Sequence, residues 1–363
     1  MSSPLDYIIV GQGLVGTWMS YYAQKAEKSF IVVNDPTIPS STAVASGVIN
    51  PVTGRRIVQT WMIDTLLPNA VNAYKELGKD LNKTLIKASP VVLLHPSLQM
   101  KESFEYRLTH ENVYLSTNNS SDFETFFKIP FGTGQIDSSY WIDLNTMLTS
   151  WKARLIEQHQ LVEDHFDIND VAIVKEHVQW KSYSAKQIIF CDGNNSMHNT
   201  YFKALPFAPN KGEALIVKIE GLSNQFIYKN NVSIVPWKED LFWVGSNYEW
   251  EFKDALPSIA FKEKMIQALD SFLKVPYTIV DHISGIRPAN TERRPFVGVH
   301  PAYPSLAICN GMGTKGCSLA PYFSKQLIDY LGNEKAIDLE ADIQRFKIIL
   351  KIRFKTNLHD RIR

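Results

Sequence analysis

A glycine-rich segment near the start of the sequence has the residue types and spacing of a phosphate-binding turn. Gly11-Gln12-Gly13-Leu14-Val15-Gly16 follows the apolar residues 7–10 and opens a stretch with helical periodicity. In such a turn Gly11 permits the sharp bend, Gly13 lets the backbone approach a pyrophosphate, and Gly16 packs the helix on the strand. A helix beginning at Leu14 and Val15 presents N–H groups and a positive dipole end to the phosphates. Strand, turn and helix in this order predict a dinucleotide site.

Two polar residues end the second predicted strand, residues 30–33. Asn34 lies 23 positions after Gly11, and Asp35 follows it. Either side chain can bond a ribose 2′-hydroxyl, which is expected at this place in a dinucleotide fold. No arginine stands nearby in the sequence to hold a 2′-phosphate, so a plain adenosine ribose is favoured over NADP. The choice between Asn34 and Asp35 stays open.

Small and hydroxyl-bearing residues dominate the segment 40–51. Thr42, Ala45, Ser46 and Gly47 belong to it. Because such residues let the backbone come very close to a flat ring, the run favours a flavin over a nicotinamide.

A second glycine-rich turn lies near the end of the sequence. Gly311, Met312, Gly313, Thr314, Lys315 and Gly316 follow the apolar residues 306–309 and precede a predicted helix over 319–331. The N–H groups at the start of that helix can stabilise negative charge on a reduced flavin, and Lys315 would add a full positive charge. A solvent-exposed Lys315 beside a simple turn is the alternative.

The elements that position these turns alternate along the chain. Helices are predicted over residues 147–161 and 261–273, and strands over 187–191, 215–219 and 241–245. Strand-like and helix-like patterns intermingle from about residue 57 to 285 without repeats or a clean linker. The domains are therefore predicted to be interleaved.

Composition excludes several classes of protein. The 363 residues are 45% hydrophobic, which rules out general disorder, and the net charge of +1 gives no global argument for nucleic acid or an acidic membrane. Cys191, Cys309 and Cys317 are too scattered for a disulfide framework or a zinc knuckle, so no metal is expected. No apolar stretch approaches the roughly 18 residues of a membrane span, and the N-terminus lacks the basic region of a signal peptide, so a cytoplasmic protein is expected.

Four separate segments together resemble the D-amino-acid oxidase/glycine oxidase (DAO) family of FAD-dependent oxidoreductases. They are the first turn with its small-residue run, residues 188–193 ending in Gly193, Gly285-Ile286-Arg287-Pro288, and the second turn with Leu319-Ala320-Pro321. The resemblance implies an α/β fold with a Rossmann-like FAD-binding domain, interleaved with an α+β substrate domain built on a mixed antiparallel sheet. We expect the FAD-binding domain over 1–80, 138–200 and 285–345, and the substrate domain over 81–137 and 201–284. Residues 346–363 form a basic C-terminal tail, expected to be solvated, with tRNA or a membrane surface as the less favoured partner.

The resemblance also implies roles for single residues. Arg287 matches the family's carboxylate-binding arginine, and its alternative is pairing with a structural acid such as Glu292 or Asp281. Tyr248 lies where the family often supplies an aromatic or hydroxyl group to the substrate, although Tyr228 and Trp250 compete with it. Met312 and Thr314 stand where relatives often have His or Arg, which leaves the charge-stabilising group open. Because no cysteine lies near residues 285–298, FAD is expected to be non-covalent.

The function implied by the resemblance is oxidation of the C–N bond of a small amino acid or secondary amine, by hydride transfer to FAD and then to oxygen or another acceptor. One alternative is a flavin dehydrogenase of a 2-hydroxy acid or glycerol phosphate. Another is a flavin-binding protein without turnover.

Overall fold

The computed structural model describes residues 4–54, 56–110, 113–174, 177–332 and 335–351. The α-helices are α1 Leu14–Lys25, α2 Ile63–Leu81, α3 Leu98–His110, α4 Leu144–Glu157, α5 Ile259–Phe272 and α6 Gly316–Leu331. The strands are β1 Leu5–Val10, β2 Phe30–Asn34, β3 Val48–Ile49, β4 Val52–Thr53, β5 Val58–Gln59, β6 Ile86–Ala88, β7 Val91–Leu94, β8 Leu115–Ser116, β9 Thr133–Ile136, β10 Tyr140–Ile142, β11 Leu161–Glu163, β12 Val171–Val174, β13 His177–Trp180, β14 Tyr183–Phe190, β15 Asn210–Ile219, β16 Ile227–Lys229, β17 Ser233–Pro236, β18 Leu241–Gly245, β19 Tyr277–Arg287, β20 Phe296–His300 and β21 Tyr303–Asn310. Short 3₁₀ turns cover Ser120–Asp122, Ile168–Asp170, Gly193–Met197, Gly313–Lys315 and Ile343–Phe346.

The chain divides into two compact units that are interleaved in sequence. The first unit holds the described residues of Met1–Ala43, Leu144–Asn210 and Ile286–Arg363. The second unit holds those of Val44–Asp143 and Lys211–Gly285. The α/β class and the interleaving expected from the sequence are confirmed.

Residues 201–210, expected in the substrate domain, group with the first unit, and the boundaries also differ at residues 44–80 and 138–143. The latter two stretches group with the second unit, because β3 pairs with β10 and β10 pairs with β6. Val52 and Ile57 also join an apolar cluster with Val91 and Leu93. Such long-range pairings have no local signal in the sequence.

The basic tail begins as packed structure. Phe346 packs against the apolar cluster that contains Leu350, which is itself buried. Arg345 lies at the edge of that cluster and donates to a carboxylate oxygen of Glu292 at 3.0 Å. Residues 352–363 of the predicted tail lie outside the described residues.

A mainly parallel sheet forms the centre of the first unit. The strands β11, β2, β1, β14 and β21 run parallel in that order, with Ile8 opposite both Ile31 and Ile188. β20 pairs antiparallel with β21, and β12 and β13 extend an antiparallel arm from β14. Because parallel strands end at a common edge, the residues after β1, β2, β14 and β21 lie at the same edge of the sheet.

Helix α4 is displaced from the range that the sequence predicts. It begins at Leu144 rather than at residue 147 and ends at Glu157. His159 has a left-handed backbone (φ 54°), which turns the chain so that Leu161 starts β11 opposite Val32. The apolar residues at 161–162 therefore belong to a half-buried edge strand of the sheet and not to the last turn of the helix.

The second unit is built on a mixed sheet. Its order is β19-β15-β18-β17-β16-β7-β9-β8, in which β16 and β7 are parallel and the other pairs with an assigned register are antiparallel. Helix α5 covers one face through Phe261, Met265 and Leu269. A second apolar cluster, around Trp243, covers the other face. Among the described helices, none is long and apolar enough to cross a membrane.

Candidate functional site

The first turn uses two of its glycines to fit the protein's own backbone. Gly11 has φ 98°, and a Cβ atom there would lie 2.7 Å from the carbonyl oxygen of Cys191. A Cβ on Gly16 would overlap the carbonyl oxygen of Gly11. The N–H of Gly11 donates to the Val33 carbonyl at 2.8 Å, which fixes the turn on the end of β2. Gly11 and Gly16 are therefore required by the fold itself.

Gly13 differs from its two neighbours. The nearest protein atom to an added Cβ would be Thr42 Oγ1 at 3.5 Å, an ordinary van der Waals distance. Gly13 is the N-cap of α1 and has no side chain with which to cap the helix. The first helical turn contains no acidic residue. The Leu14 N–H donates to Thr42 Oγ1 at 3.1 Å. A helix start with no acid in its first turn, beside open space at Gly13, fits the pyrophosphate of FAD.

Asn34 and Asp35 both lie at the end of β2, and each has partners within the protein. Asn34 Oδ1 accepts the Gln12 N–H at 3.2 Å, so this side chain holds the first turn. Asp35 accepts from the Thr37 hydroxyl and N–H, and its Oδ2 lies 2.9 Å from His165 Nδ1. The Thr37 hydrogen bond, aided by His165, lowers the pKa of Asp35 to about 2. Their predicted contact with a ribose stays a prediction.

The segment after β14 lies against the first turn. The Cys191 N–H donates to the Val10 carbonyl at 2.9 Å. Asp192 follows and accepts a hydrogen bond from the Ser196 hydroxyl, and burial raises its pKa to about 6. Gly193 has φ 57°, and no atom of the described residues lies within 4 Å of the position that a Cβ would take there. Like Gly13, it leaves space that the protein does not fill.

The second turn is held by asparagine side chains. Asn310 Oδ1 accepts the Gly311 N–H at 2.7 Å, and its Nδ2 donates to the Gly193 carbonyl at 2.8 Å. Asn290 Nδ2 donates to the Gly311 carbonyl at 2.8 Å. The two amides thus tie the second turn to the end of β14 and to the segment after β19. The sequence analysis did not predict that these asparagines hold the second turn, although an asparagine before a glycine at a strand end is a signal for such a role.

The other residues of the second turn differ in how exposed they are to solvent. Met312 is buried and Thr314 is exposed, while Gly313 and Lys315 are half-buried. Lys315 directly precedes α6, whose start has no side-chain cap among the described residues. The carbon that a side chain would add at Gly316 would lie 2.9 Å from Leu14 Cδ2, so the starts of α1 and α6 are close together.

Arg287 ends β19, and its segment is bonded to the segment after β14 and to the second turn. Its Nη1 donates to the buried amide oxygen of Asn210 at 2.7 Å. The Ile286 carbonyl accepts from the Ser41 hydroxyl and from Asn194 Nδ2, each at 2.6 Å. The Pro288 carbonyl accepts the Gly313 N–H at 3.1 Å. Glu292, the structural acid expected as an alternative partner, pairs with Arg345 instead.

Several predicted site residues belong to the second unit. Ala45 and Ser46 are half-buried there, and Gly47 has φ 74° with its carbonyl accepting the Ile142 N–H at 2.8 Å. Tyr248 follows β18 and is 57% exposed. Of its two competitors, Trp250 is 60% exposed, whereas Tyr228 is 2% exposed and packs in the core. Tyr228 is therefore a structural residue, and the role of Tyr248 stays a prediction.

Comparison with known proteins finds similarity to a glycine oxidase over almost the full chain. Glycine oxidase of Bacillus subtilis (strain 168) is 22% identical over 358 residues, which are 92% of this chain and 95% of that protein. A glycine oxidase of Pseudomonas aeruginosa is 27% identical over 139 residues, 37% of this chain and 38% of its own.

Solved structures share the fold. Glycine oxidase from Geobacillus kaustophilus matches with a TM-score of 0.77 at 15% identity, over 95% of this chain and 98% of its own. Iminodiacetate oxidase from a Chelativorans species matches with a TM-score of 0.75 at 16% identity, over 94% and 98%. L-α-Glycerophosphate oxidase from Mycoplasma pneumoniae, with FAD bound, matches with a TM-score of 0.72 at 16% identity, over 91% and 95%.

The family model "DAO: FAD dependent oxidoreductase" matches residues 6–330, a span that contains both glycine turns and the Arg287 segment. The chain therefore belongs to the DAO family of FAD-dependent oxidoreductases, and its cofactor is FAD.

Proposed function

We propose that this enzyme oxidises the C–N bond of a small amino acid or secondary amine, and that Arg287 binds the substrate carboxylate. The observation that carries the proposal is the bonding of the Arg287 segment to the segment after β14 and to the second turn. The Ile286 carbonyl is held by Asn194, next to Gly193, and the Pro288 carbonyl is held by Gly313. The guanidinium is therefore fixed to the elements that we expect to hold FAD.

The residues proposed to hold FAD fall into three groups by chemistry. The first turn and the start of α1 offer N–H groups to the pyrophosphate, with Gly13 leaving room for it. Asn34 or Asp35 would bond the ribose. The N-terminus of α6 and the Lys315 cation would face the part of the cofactor that becomes negative. Binding is proposed to be non-covalent.

Arg287 suits a carboxylate for reasons of geometry. A guanidinium presents planar, parallel N–H donors that match two carboxylate oxygens. Asn210 accepts one N–H through its amide oxygen, which helps to hold the side chain in place. When bound, FAD accepts a hydride from the carbon that carries the substrate nitrogen, and the imine product hydrolyses in water. The protein's task is then mainly to hold the substrate by its carboxylate.

The relatives support an amine substrate. Two curated relatives are glycine oxidases, and solved structures with the same fold include an iminodiacetate oxidase and an L-proline dehydrogenase. Glycerophosphate oxidase shares the fold as well, so a hydroxylated anion is the second candidate substrate. Arg287 would serve a phosphate or a carboxylate equally, which is why the two candidates need an experiment.

The test is an anaerobic titration of the purified holoenzyme followed by visible absorbance. We expect bleaching of the flavin band by glycine, sarcosine or D-amino acids, and none by 2-hydroxy acids or glycerol phosphate. Bleaching by the hydroxy compounds alone would replace the proposal with its alternative. A flavin that no member of either pool reduces would contradict both. Where a compound does reduce the flavin, repeating that titration in air shows whether oxygen is the acceptor.

A further inference from the structure

A small cavity lies within the second unit, beside β7, β16 and the β4–β5 hairpin. Its volume is about 30 Å³, and most of its walls are aliphatic. The aliphatic lining residues are Val52, Ile57, Leu93, Leu94, Met100 and Ile136. His95, Lys229 and Asn230 add polar groups to this apolar wall. The cavity is separate from every residue assigned a role above.

Lys229 occupies a sheet position that should be apolar. β16 pairs in parallel with β7, and Lys229 stands opposite Leu93. Alternate residues of a strand share a face, so Lys229 lies on the same face as Ile227, while Tyr228 points into the opposite cluster. Ile227 and Leu93 belong to one apolar cluster. Lys229 therefore replaces a core residue of that face with a cation.

His95 continues the same face on the neighbouring strand. It comes two residues after Leu93 and is 3% exposed. Its ring packs against Phe104 at an interplanar angle of 51°, with centroids 5.2 Å apart. Burial lowers the pKa of His95, so the ring is neutral at pH 7 and offers one N–H donor.

The charge of Lys229 is not balanced within the described part of the chain. No carboxylate there forms an ion pair with its ammonium, and burial lowers its pKa. On α3, Glu105 is exposed and lies 3.7 Å from Lys101. The Asn230 amide donates to the Leu94 carbonyl at 2.9 Å and so fixes the strand ends. A half-buried, unpaired cation in apolar surroundings costs free energy unless a ligand pairs with it.

We propose that this cavity binds a short organic carboxylate, with the Lys229 ammonium and the His95 N–H on its oxygens and the aliphatic residues around its hydrocarbon part. The cavity can hold a head group of only a few atoms, which favours a carboxylate over a phosphate ester. Lys229 and His95 place two donor groups in the lining of one cavity, and a carboxylate has two oxygens to accept from them. The inference does not rest on the proposed function, because it uses no residue of the cofactor or substrate site.

The test is calorimetric titration of the holoenzyme with propionate, and with propionamide as its neutral counterpart, at constant ionic strength. The titration uses the Arg287→Met background, so that the carboxylate contact proposed for the active site is absent. Lys229→Met removes the charge and keeps the length of the side chain. Lys253→Met is the control, since Lys253 is an exposed lysine of the same unit.

We expect saturable binding of propionate and not of propionamide, weakened at least about tenfold by Lys229→Met and unchanged by Lys253→Met. Propionate should also raise the melting temperature of the Arg287→Met protein but not that of the double variant with Lys229→Met. Equal binding of propionate with and without Lys229, equal binding of propionamide, or no saturable binding would each overturn the proposal. None of these results depends on which substrate bleaches the flavin.

Discussion

The two glycine-rich turns of the first unit follow parallel strands of one sheet, yet they use glycine for different reasons. In the first turn, Gly11 and Gly16 are closed off by backbone atoms. In the second turn, an added carbon at Gly316 would lie 2.9 Å from the end of the Leu14 side chain, and one at Gly311 would lie 2.9 Å from Asn290 Nδ2. One at Gly313 would meet Ala289 at 3.7 Å. Backbone cannot move aside, whereas a side-chain end can. The first turn is therefore the more rigidly determined of the two.

The difference extends to what each turn is bonded to. The first turn is anchored on β2 and on the end of β14, and it leaves Gly13 open. The second turn is anchored through Asn290 and Asn310, and Gly313 bonds the Arg287 segment. The first turn thus leaves the space that we propose for the cofactor phosphates, and the second is bonded to the segment of Arg287, the proposed substrate-binding residue.

The largest effect is expected from Gly16→Ala. Its methyl group would overlap the Gly11 carbonyl, and relief would require moving the turn away from α1. We expect a loss of at least about 4 kcal/mol in the free energy of unfolding, measured by urea denaturation of the FAD-free protein. Gly316→Ala is the matched control from the second turn and should lose clearly less. Equal losses of stability in the two variants would show that a backbone neighbour and a side-chain neighbour are equally costly to displace, against this expectation.

Gly13→Val should remove the cofactor and leave the fold. Gly13 has an extended backbone (φ −74°, ψ −163°) that valine adopts readily, so the FAD-free protein should unfold within about 1 kcal/mol of wild type. The valine methyls would fill the space offered to the pyrophosphate, and FAD binding should weaken by at least about a hundredfold, or 2.7 kcal/mol. Fluorescence titration of the FAD-free protein measures this. A variant that purifies with a full complement of flavin would show that Gly13 does not face the phosphates.

Arg287→Ala tests the second turn's link to the substrate. Removing one partner of a charge pair should weaken a carboxylate substrate by about 2–5 kcal/mol in kcat/KM, while FAD stays bound. Arg287→Lys, which keeps the charge without the fork, should recover part of the loss. Loss of FAD in Arg287→Ala would instead make Arg287 a structural residue of the turn.

Local patterns were enough to predict much of the first unit. Both strand–turn–helix units have short apolar runs that end at glycine, and β18 was predicted at residues 241–245, where it lies, because turn residues and Gly245 delimit it. The features that sequence reasoning missed depend on pairings between distant residues. Asn310 meets Gly193 across the sheet edge, and Lys229 meets an apolar face only when β16 pairs with β7. The open space at Gly13 and the closed space at Gly16 likewise depend on where other backbone atoms lie.

Asp192, which lies against Gly11, gives the first turn a dependence on pH. Burial raises its pKa from 3.8 to about 6, so between these values the folded state binds more protons than the unfolded state. Stability therefore falls as pH rises from about 4 to about 6 and shows no further loss from this group above that range. In Asp192→Asn this decline should shrink by about 1–3 kcal/mol, measured by urea unfolding at pH 4 and pH 7. An unchanged decline would assign it to other carboxyl groups.

The smallest effect is expected from Gly313→Ala, which probes the second turn without a clash. Gly313 has φ 55°, and the added carbon would make only an ordinary contact with Ala289. The loss should then be the left-handed backbone penalty alone, about 1 kcal/mol in the free energy of unfolding. Gly313→Asn should lose less, because asparagine tolerates this conformation. A loss as large as that of Gly16→Ala would mean that the hydrogen bond from Gly313 to Pro288 fixes the second turn as firmly as backbone packing fixes the first. The two turns would then differ only in the open space at Gly13.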